Sequence, residues 1–197
     1  MHPVPLPAEL LAALSAVLRR WRAGWYLFGA QAVVVWGQPR YTTDIDITAR
    51  IDPDDSAAFN LDMERAGFHL RVSDPQAFLA RTRVIPYTHV ATGVSLDLVL
   101  AGPGLEEQFI ERAVPMEVEG VTIPVISAED LVITKILAGR PKDIEDAWSV
   151  IEKQRPTLDT ARIRATLAML EEALAQNDLL PAFDAQFARA DRSRRSL

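Results

Sequence analysis

Apolar residues recur every three or four positions near the beginning of the chain, as Leu10, Leu14 and Leu18 illustrate. This spacing predicts an amphipathic helix over residues 7–21. From about residue 25 the pattern changes to short apolar runs separated by glycine, proline or charged residues, which is typical of strands. The runs predict strands over residues 25–28, 41–51, 84–91, 94–100, 114–118 and 121–126. The segments between them predict helices over residues 31–36, 56–66, 75–81 and 105–113.

The pattern changes again at Ser127, after which helical spacing continues almost to the end. Ser127-Ala128-Glu129-Asp130 is close to a helix capping box, with Asp where Glu or Gln is usual. Helices are predicted over residues 128–138, 142–154, 159–176 and 180–190. We therefore expect an α/β (α+β) protein, in which a mixed twisted sheet flanked by helices precedes a C-terminal α-helical region. The predicted domains are an α/β core over residues 1–126 and a helical region over residues 127–197.

Composition narrows the classes of function. The 197 residues carry 27 acidic and 21 basic side chains, and the net charge of -6 argues against broad binding of DNA or RNA. The lack of cysteine excludes disulfides and thiolate metal sites. No apolar run approaches the roughly 20 residues that a membrane-spanning helix needs, and the first residues lack the basic segment of a signal peptide. We therefore expect a cytoplasmic protein without a membrane partner.

Three aspartates stand out in the strand-forming part of the chain. Because successive side chains of a strand point to opposite faces, Asp44 and Asp46 should share one face, with Cα atoms about 6.5 Å apart. A third, Asp97, interrupts the apolar run over residues 94–100. Clustered carboxylates repel one another, so a cation is their natural partner, and Mg²⁺ prefers such oxygen ligands. The spacing also suits the two ions, about 3.5–4 Å apart, of a phosphoryl-transfer site.

Gly29 supplies a second indication of phosphate chemistry. It follows the predicted strand over residues 25–28 and precedes a predicted helix. A glycine at such a corner lets the backbone approach a phosphate closely, and the N–H groups at a helix N-terminus favour an anion. Glycine and carboxylates together predict a site for a nucleoside triphosphate and one or two Mg²⁺ or Mn²⁺ ions.

Simpler interpretations of these motifs stay open. A chain this rich in aspartate contains roughly one Asp-x-Asp by chance, and residues 52–54 form a second example, in a predicted turn, to which we assign no chemistry. The carboxylates at residues 44–46 could be solvated groups at the end of a strand. Asp97 could be a buried ion-pair partner of Arg50 or Arg83.

Three segments of the chain, taken in order, resemble the signature of the polymerase-β-like nucleotidyltransferase superfamily: Phe28-Gly29-Ala30, Asp44-Ile45-Asp46-Ile47 and Asp97. The stretch from Arg40 to Asp46 looks like the Arg-x-Thr-x-Asp-x-Asp of abortive-infection AbiEii-type toxins and their minimal relatives. A second block, from Glu129 to Asp146, resembles the helical lysine block of that family and the Asp-x-x-Asp that follows it. The resemblance covers about residues 20–155, with both blocks in the family's order.

The resemblance implies a sheet of the nucleotidyltransferase type and a role for each matching residue. Asp44, Asp46 and Asp97 would bind the metal and act in catalysis, and Asp97 would also help to activate the attacking hydroxyl. Lys135 would lie near the nucleotide phosphates, and Asp143 or Asp146 would orient either Lys135 or the acceptor. Gly139-Arg140-Pro141 is expected to end the intervening helix. The residues expected to bind the nucleotide are Gly29, Ala30, Arg40, Thr43, Lys135, Asp143 and Asp146.

The implied activity is Mg²⁺-dependent transfer of NMP from an NTP to a hydroxyl of an acceptor, which could be a tRNA end, another protein or a small molecule. The resemblance also implies the toxin of a toxin–antitoxin pair, with an antitoxin protein as a further partner. Ala30 departs from the family pattern, in which Ser or Gly is usual. Weak activity, or a non-catalytic protein that binds nucleotide or a partner, is therefore an alternative. A third interpretation is that the chain is a helical interaction module with a vestigial core.

Overall fold

The computed structural model describes residues 6–38 and 42–195, with side chains as far as Arg192. These residues group into two compact units. The first draws on Met1–Gln31 and Tyr41–Ile126, and the second on Ala32–Arg40 and Ser127–Leu197. One division falls after Ile126, where the sequence also places a boundary. The grouping of residues 32–40 with the second unit has no counterpart in the sequence patterns, and the division into two domains stays a prediction.

The first unit is built on an open, mixed seven-stranded sheet. Its strands are β1 (Trp25–Phe28), β2 (Ile45–Ala49), β3 (Phe68–Leu70), β4 (Val84–His89), β5 (Ser95–Leu100), β6 (Val114–Val118) and β7 (Val121–Val125). They lie in the order β3-β4-β5-β2-β1-β7-β6. The pairs β2–β5 and β1–β7 are parallel, and the other neighbours are antiparallel. This confirms the predicted mixed sheet.

Alternation of side chains fixes which face of each central strand is buried. In β5 the side chains of Leu96, Leu98 and Leu100 are buried, whereas Asp97 on the opposite face is half-buried. Because the free energy of burying leucine is favourable and that of burying a carboxylate is not, only one register of β5 satisfies both. The aspartate is therefore held at the polar face of the sheet.

Among the described residues, four α-helices belong wholly to the first unit: α1 (Ala8–Arg20), α3 (Ser56–Arg65), α4 (Pro75–Thr82) and α5 (Leu105–Glu111). The apolar stripe of α1 is buried as its spacing predicts, through Leu10, Leu14 and Leu18 among others. Helix α4 is capped by Asp74, whose carboxylate accepts a hydrogen bond of 2.9 Å from the Ala77 N–H. Helix α2 (Gly29–Trp36) begins in the first unit and passes into the second after Gln31.

The rest of the second unit consists of α6 (Ala128–Ala138), α7 (Pro141–Gln154), α8 (Thr160–Leu174) and α9 (Leu179–Arg195). Its helix α6 begins where the Ser127 hydroxyl accepts a hydrogen bond of 3.2 Å from the Asp130 N–H. It ends at Gly139, whose φ of +64° lies in the left-handed region that glycine tolerates. Residues 36–38 are hydrogen-bonded to α7. Among these bonds, Lys153 Nζ donates to Gly37 O and the Gln154 side chain to Trp36 O, at 3.0 and 2.7 Å.

Two strand predictions need correction. Strand β2 covers Ile45–Ala49 and not residues 41–51, so Asp44 lies one residue before the strand and Asp46 within it. Strand β3 is missing from the prediction, because Phe68–Leu70 is too short for an alternating pattern to be visible. None of the helices in the described ranges combines the length and apolar character that crossing a membrane requires.

Candidate active site

Two of the three aspartates lie side by side in the middle of the sheet. The parallel pairing of β2 with β5 places Asp46 directly opposite Asp97. Neighbouring strands are about 4.8 Å apart, and paired residues of parallel strands project to the same face. The two carboxylates therefore come from residues 51 positions apart in sequence but are adjacent in the fold. The pairing of these two aspartates is the central geometric feature of the candidate site.

The glycine of the sequence motif packs against one of these carboxylates. Strand β1 pairs with β2 so that Phe28 lies opposite Asp46, which brings the next residue, Gly29, to the aspartate side chain. A Cβ atom placed on Gly29 would be 2.0 Å from Oδ2 of Asp46, and φ at Gly29 is +64°. Both facts require glycine here, since an L side chain would be strained and would displace the carboxylate. The Gly29 backbone thus lies against the Asp46 carboxylate, and its predicted approach to a phosphate stays a prediction.

The other first-unit residues of the motif occupy less regular positions. Ala30 lies in the first turn of α2. Thr43 and Asp44 are exposed in the segment before β2, where the Thr43 hydroxyl donates a hydrogen bond of 3.3 Å to the Asp44 carboxylate. Asp44 was predicted to share a strand face with Asp46. It does not, because the strand begins one residue later. Arg40 lies outside the described residues.

Asp97 is paired with an arginine that the sequence does not point to. The Nη2 atom of Arg71 donates to Oδ1 of Asp97, and both side chains remain partly exposed. The ion-pair alternatives suggested by the sequence, Arg50 and Arg83, are wrong. Arg83 pairs instead with Glu106, at 3.1 Å. Only the order of strands brings Arg71, at the end of β3, across β4 to β5.

The donor atoms at this edge fit a hard divalent cation in part. Asp46 and Asp97 offer adjacent carboxylates, which are oxygen ligands of the kind that Mg²⁺ prefers. Within the described ranges, however, no three acidic or histidine side chains are grouped closely enough to hold a metal ion. One oxygen of Asp97 is already bonded to Arg71. The carboxylate of Asp44 does not complete the group, because Asp44 lies before strand β2. The assignment of all three as ligands stays a prediction.

The predicted residues of the second unit form a compact cluster of their own. Lys135 Nζ donates hydrogen bonds to Asp143 Oδ1 at 2.9 Å and to Asp146 Oδ2 at 2.8 Å, and all three residues are buried. The expected break at residues 139–141 is present, since α6 ends at Gly139. The contact forms across the turn between α6 and α7, so it does not depend on one continuous helix.

Asp143 has two cationic neighbours. Its other oxygen accepts a hydrogen bond from Arg140 Nε. Burial favours the neutral acid, but the hydrogen bonds and positive charges of Arg140 and Lys135 outweigh that effect and hold the pKa of Asp143 below its usual value. The carboxylate is therefore ionised at neutral pH, which lets it fix the position of the Lys135 ammonium.

Comparison with known families decides the assignment. The family model described as "Nucleotidyl transferase AbiEii toxin, Type IV TA system" matches residues 10–195. The chain belongs to this family. The match extends over both units, and it confirms the family resemblance that the two sequence blocks indicated. Nucleotidyl transfer is accordingly the general activity of an AbiEii nucleotidyltransferase such as this chain.

Solved structures show where else this fold occurs. An antigenic nucleotidyltransferase-like protein from Paracoccidioides brasiliensis aligns with a TM-score of 0.55 and 17% identity, over 92% of this chain and 95% of that chain. The antibiotic-resistance factor ANT(2'')-Ia aligns with a TM-score of 0.54 and 13% identity, over 96% and 97%. At such identities the likeness establishes the nucleotidyltransferase fold alone. No curated protein matches the sequence significantly.

Proposed function

We propose that this AbiEii-family protein transfers NMP from an NTP to an acceptor hydroxyl, with a divalent cation, Mg²⁺ or Mn²⁺, at the β2–β5 edge. The observation that carries the proposal is the direct pairing of Asp46 with Asp97, beside the close approach of the Gly29 backbone. Carboxylates beside a glycine corner combine ligands for a cation with N–H groups for phosphate oxygens, which is what a bound metal–triphosphate needs.

The roles proposed for the residues rest on the family resemblance and are supported by this arrangement. Asp46 and Asp97, completed by Asp44, would hold the cation, which when bound offsets the charge of the phosphates and positions them. Gly29 and the N–H groups at the start of α2 would bind phosphate oxygens. The acceptor oxygen forms a bond to the α-phosphorus while the bond from that phosphorus to the bridging oxygen breaks, so pyrophosphate leaves. Asp97 would take the proton of the acceptor hydroxyl.

For the second unit, we propose that Lys135 contributes to nucleotide binding and that Asp143 and Asp146 orient its ammonium. The family resemblance supports the first part. The two hydrogen bonds at 2.9 and 2.8 Å support the second. Arg40 and Thr43 are proposed as nucleotide-binding residues on the resemblance alone.

The acceptor and the biological role are proposed at the level of the family. The acceptor is a hydroxyl of a tRNA end, another protein or a small molecule. One structural neighbour, ANT(2'')-Ia, was solved with adenylyl-2''-tobramycin, which makes an aminoglycoside worth testing beside RNA and protein. We propose that the chain is the toxin of a toxin–antitoxin pair. Growth arrest on expression, absent for Asp46→Asn, would support that role, and equal arrest by both forms would contradict an enzymatic toxin.

Titration calorimetry of each NTP with and without Mg²⁺ tests the metal–triphosphate site. Wild type should bind at least one NTP only when Mg²⁺ is present, and Asp46→Asn should lose that binding. The matched control is Asp54→Asn, which makes the same change in the other Asp-x-Asp, at an exposed position of a short 3₁₀ helix. Binding retained in Asp46→Asn, or lost equally in Asp54→Asn, would reject the assignment.

A second candidate function is nucleotide binding without turnover. It is favoured by Ala30, which stands in the first turn of α2 without the hydroxyl that Ser would offer to a phosphate. This candidate predicts Mg²⁺-dependent NTP affinity but no pyrophosphate release across tRNA, protein and aminoglycoside acceptors. Release with any acceptor would eliminate it. Ala30→Ser would then show how much the missing hydroxyl matters, through the ratio of its kcat to that of wild type.

A further inference from the structure

The Arg71 side chain is held in place by strand β4. The Arg71 N–H donates a backbone hydrogen bond of 2.9 Å to Pro86 O, and its Nε donates one of 3.0 Å to Tyr87 O. These two bonds fix both the backbone and the plane of the guanidinium against β4. Since a guanidinium donates in several directions from one plane, its Nη atoms remain available for another acceptor.

That acceptor is the carboxylate of Asp97, the third aspartate of the candidate site. Pro86 lies directly opposite Asp97 in the β4–β5 pairing, so a side chain anchored over Pro86 arrives beside Asp97. There Arg71 Nη2 donates to Oδ1, and the exposed fractions of the two side chains are 36% and 41%. An ion pair that reaches solvent in this way is weak and can exchange its partners. Arg71 is the one cationic partner that the described part of the chain gives Asp97.

We propose that Arg71 is a positioning residue that holds the Asp97 carboxylate until a divalent cation replaces the arginine as the partner of that carboxylate. This inference rests on the proposed function, because it requires Asp97 to be a metal ligand. Arg71 and the cation compete for the same carboxylate, so the arginine lowers the affinity of the empty site for metal. It also keeps Asp97 at the polar face of β5, where its charge would otherwise be repelled by that of Asp46.

The surroundings of Arg71 give the displaced guanidinium a place to go. A surface cavity of ≈ 730 Å³ adjoins it, lined among others by Ser73, Asp74, Phe78 and Arg81. The guanidinium can turn into this space by giving up its Nε bond to Tyr87 O, while the Arg71 backbone stays bonded to Pro86. The Asp74 carboxylate at the cavity wall, which caps α4, offers a new electrostatic partner. No movement of β4 is needed for the exchange.

The test measures the affinity of the protein for Mn²⁺ alone, from the free-ion electron paramagnetic resonance signal. Arg71→Gln and Arg71→Met each remove the competing charge, and both should bind Mn²⁺ about two- to fivefold more tightly than wild type, the range expected for loss of one exposed ion pair. Arg83→Gln is the matched control. Arg83 also pairs with an acid, Glu106, and donates to a strand carbonyl, that of Leu100. Its replacement should leave the affinity unchanged.

A double-mutant cycle separates this mechanism from a general effect of charge. In an Asp97→Asn background, Arg71→Gln should no longer tighten Mn²⁺ binding. Tightening that persists there would come from the net charge and would overturn the inference. Unchanged or weaker affinity in both Arg71 variants, with binding still lost in Asp46→Asn, would overturn the inference and leave the proposed function standing. If neither wild type nor the Arg71 variants bind Mn²⁺ alone, this inference falls, whereas the proposed function is decided by Mg²⁺-dependent binding of NTP.

Discussion

The backbone of Gly29 lies so close to the Asp46 side chain that a Cβ atom on residue 29 would be 2.0 Å from the Oδ2 atom and 2.9 Å from the Cβ atom of Asp46. Turning the carboxylate aside cannot relieve the second contact. Gly29→Ala should therefore displace Asp46 and weaken Mg²⁺-dependent NTP binding by at least about tenfold, equivalent to 1.4 kcal/mol. Titration calorimetry of the purified variant measures the loss.

The control for Gly29→Ala is Gly93→Ala. Gly93 has a similar φ of +68°, but nothing lies within 4 Å of a Cβ placed there. Both variants carry the strain of a left-handed residue, about 1–2 kcal/mol, so a lower free energy of unfolding is expected for each. Only Gly29→Ala should also lose nucleotide affinity. Equal affinities in the two variants would show that the close approach to Asp46 has no part in binding.

The buried cluster around Lys135 predicts a large effect on stability. Lys135→Met leaves Asp143 and Asp146 buried without the ammonium that bonds both of them. Removing one member of a buried ionic cluster typically costs about 3–5 kcal/mol, and we expect the lower end of this range here because Arg140 still bonds Asp143. We expect a loss of that order in the free energy of unfolding, measured by urea denaturation.

Lys142→Met is the control for this prediction, since Lys142 is exposed in the first turn of α7. It makes the same chemical change and should alter the free energy of unfolding by less than about 0.5 kcal/mol. If Lys135→Met were as stable as the control, the two hydrogen bonds would contribute little to the fold. Any loss of nucleotide binding in that variant would then be a direct effect on the ligand.

His89 predicts a dependence of stability on pH in the neutral range. Burial lowers the pKa of its imidazole, and the nearby Glu9 only partly opposes this. The unfolded chain, with a histidine pKa of about 6.5, therefore binds the proton more readily than the folded protein. The stabilising effect of the neutral imidazole is complete above that value and is lost as the pH falls from about 6.5 through the lower pKa of the folded state.

Urea denaturation at pH 7.5 and at pH 5.5 tests the His89 prediction. The free energy of unfolding of wild type should be lower at pH 5.5 than at pH 7.5. The difference should be smaller in His89→Gln, which cannot take up the proton. His69→Gln is the control, because the His69 side chain is 58% exposed. A pH dependence that His89→Gln leaves unchanged would assign the effect to other groups.

Local signals account for what the sequence predicts well. Helix α6 begins and ends at the predicted residues because a serine cap precedes it and a left-handed glycine follows it, and both act within one turn. Strands β4, β5, β6 and β7 were predicted for a similar reason, because glycine-containing segments separate the apolar runs of each pair. Gly29 and Asp46 were identified because their motif is compact in sequence.

Contacts that depend on the order of strands cannot be predicted from such local signals. Arg71 and Asp97 are 26 residues apart, and their pairing requires β3, β4 and β5 to lie in that order, which no residue pattern specifies. The sequence therefore suggested the wrong arginines for Asp97. The Lys135 contacts were suggested by the family resemblance, and the end of α6 near Gly139 was expected. The turn between α6 and α7 brings the three side chains together, and the geometry of that turn cannot be predicted from residue spacing alone.

The hydrogen bonds from α7 to the segment 32–40 have a consequence for synthesis on the ribosome. Lys153 follows Gly37 by 116 residues, so this segment leaves the ribosome long before its partners exist. At about 5–20 residues per second, the interval is roughly 6–23 s. The first unit can assemble during that time, but the nascent segment waits with its carbonyls bonded to water. The bonds from Lys153 and Gln154 can therefore form only after α7 has been synthesised, so this part of the second unit is completed late.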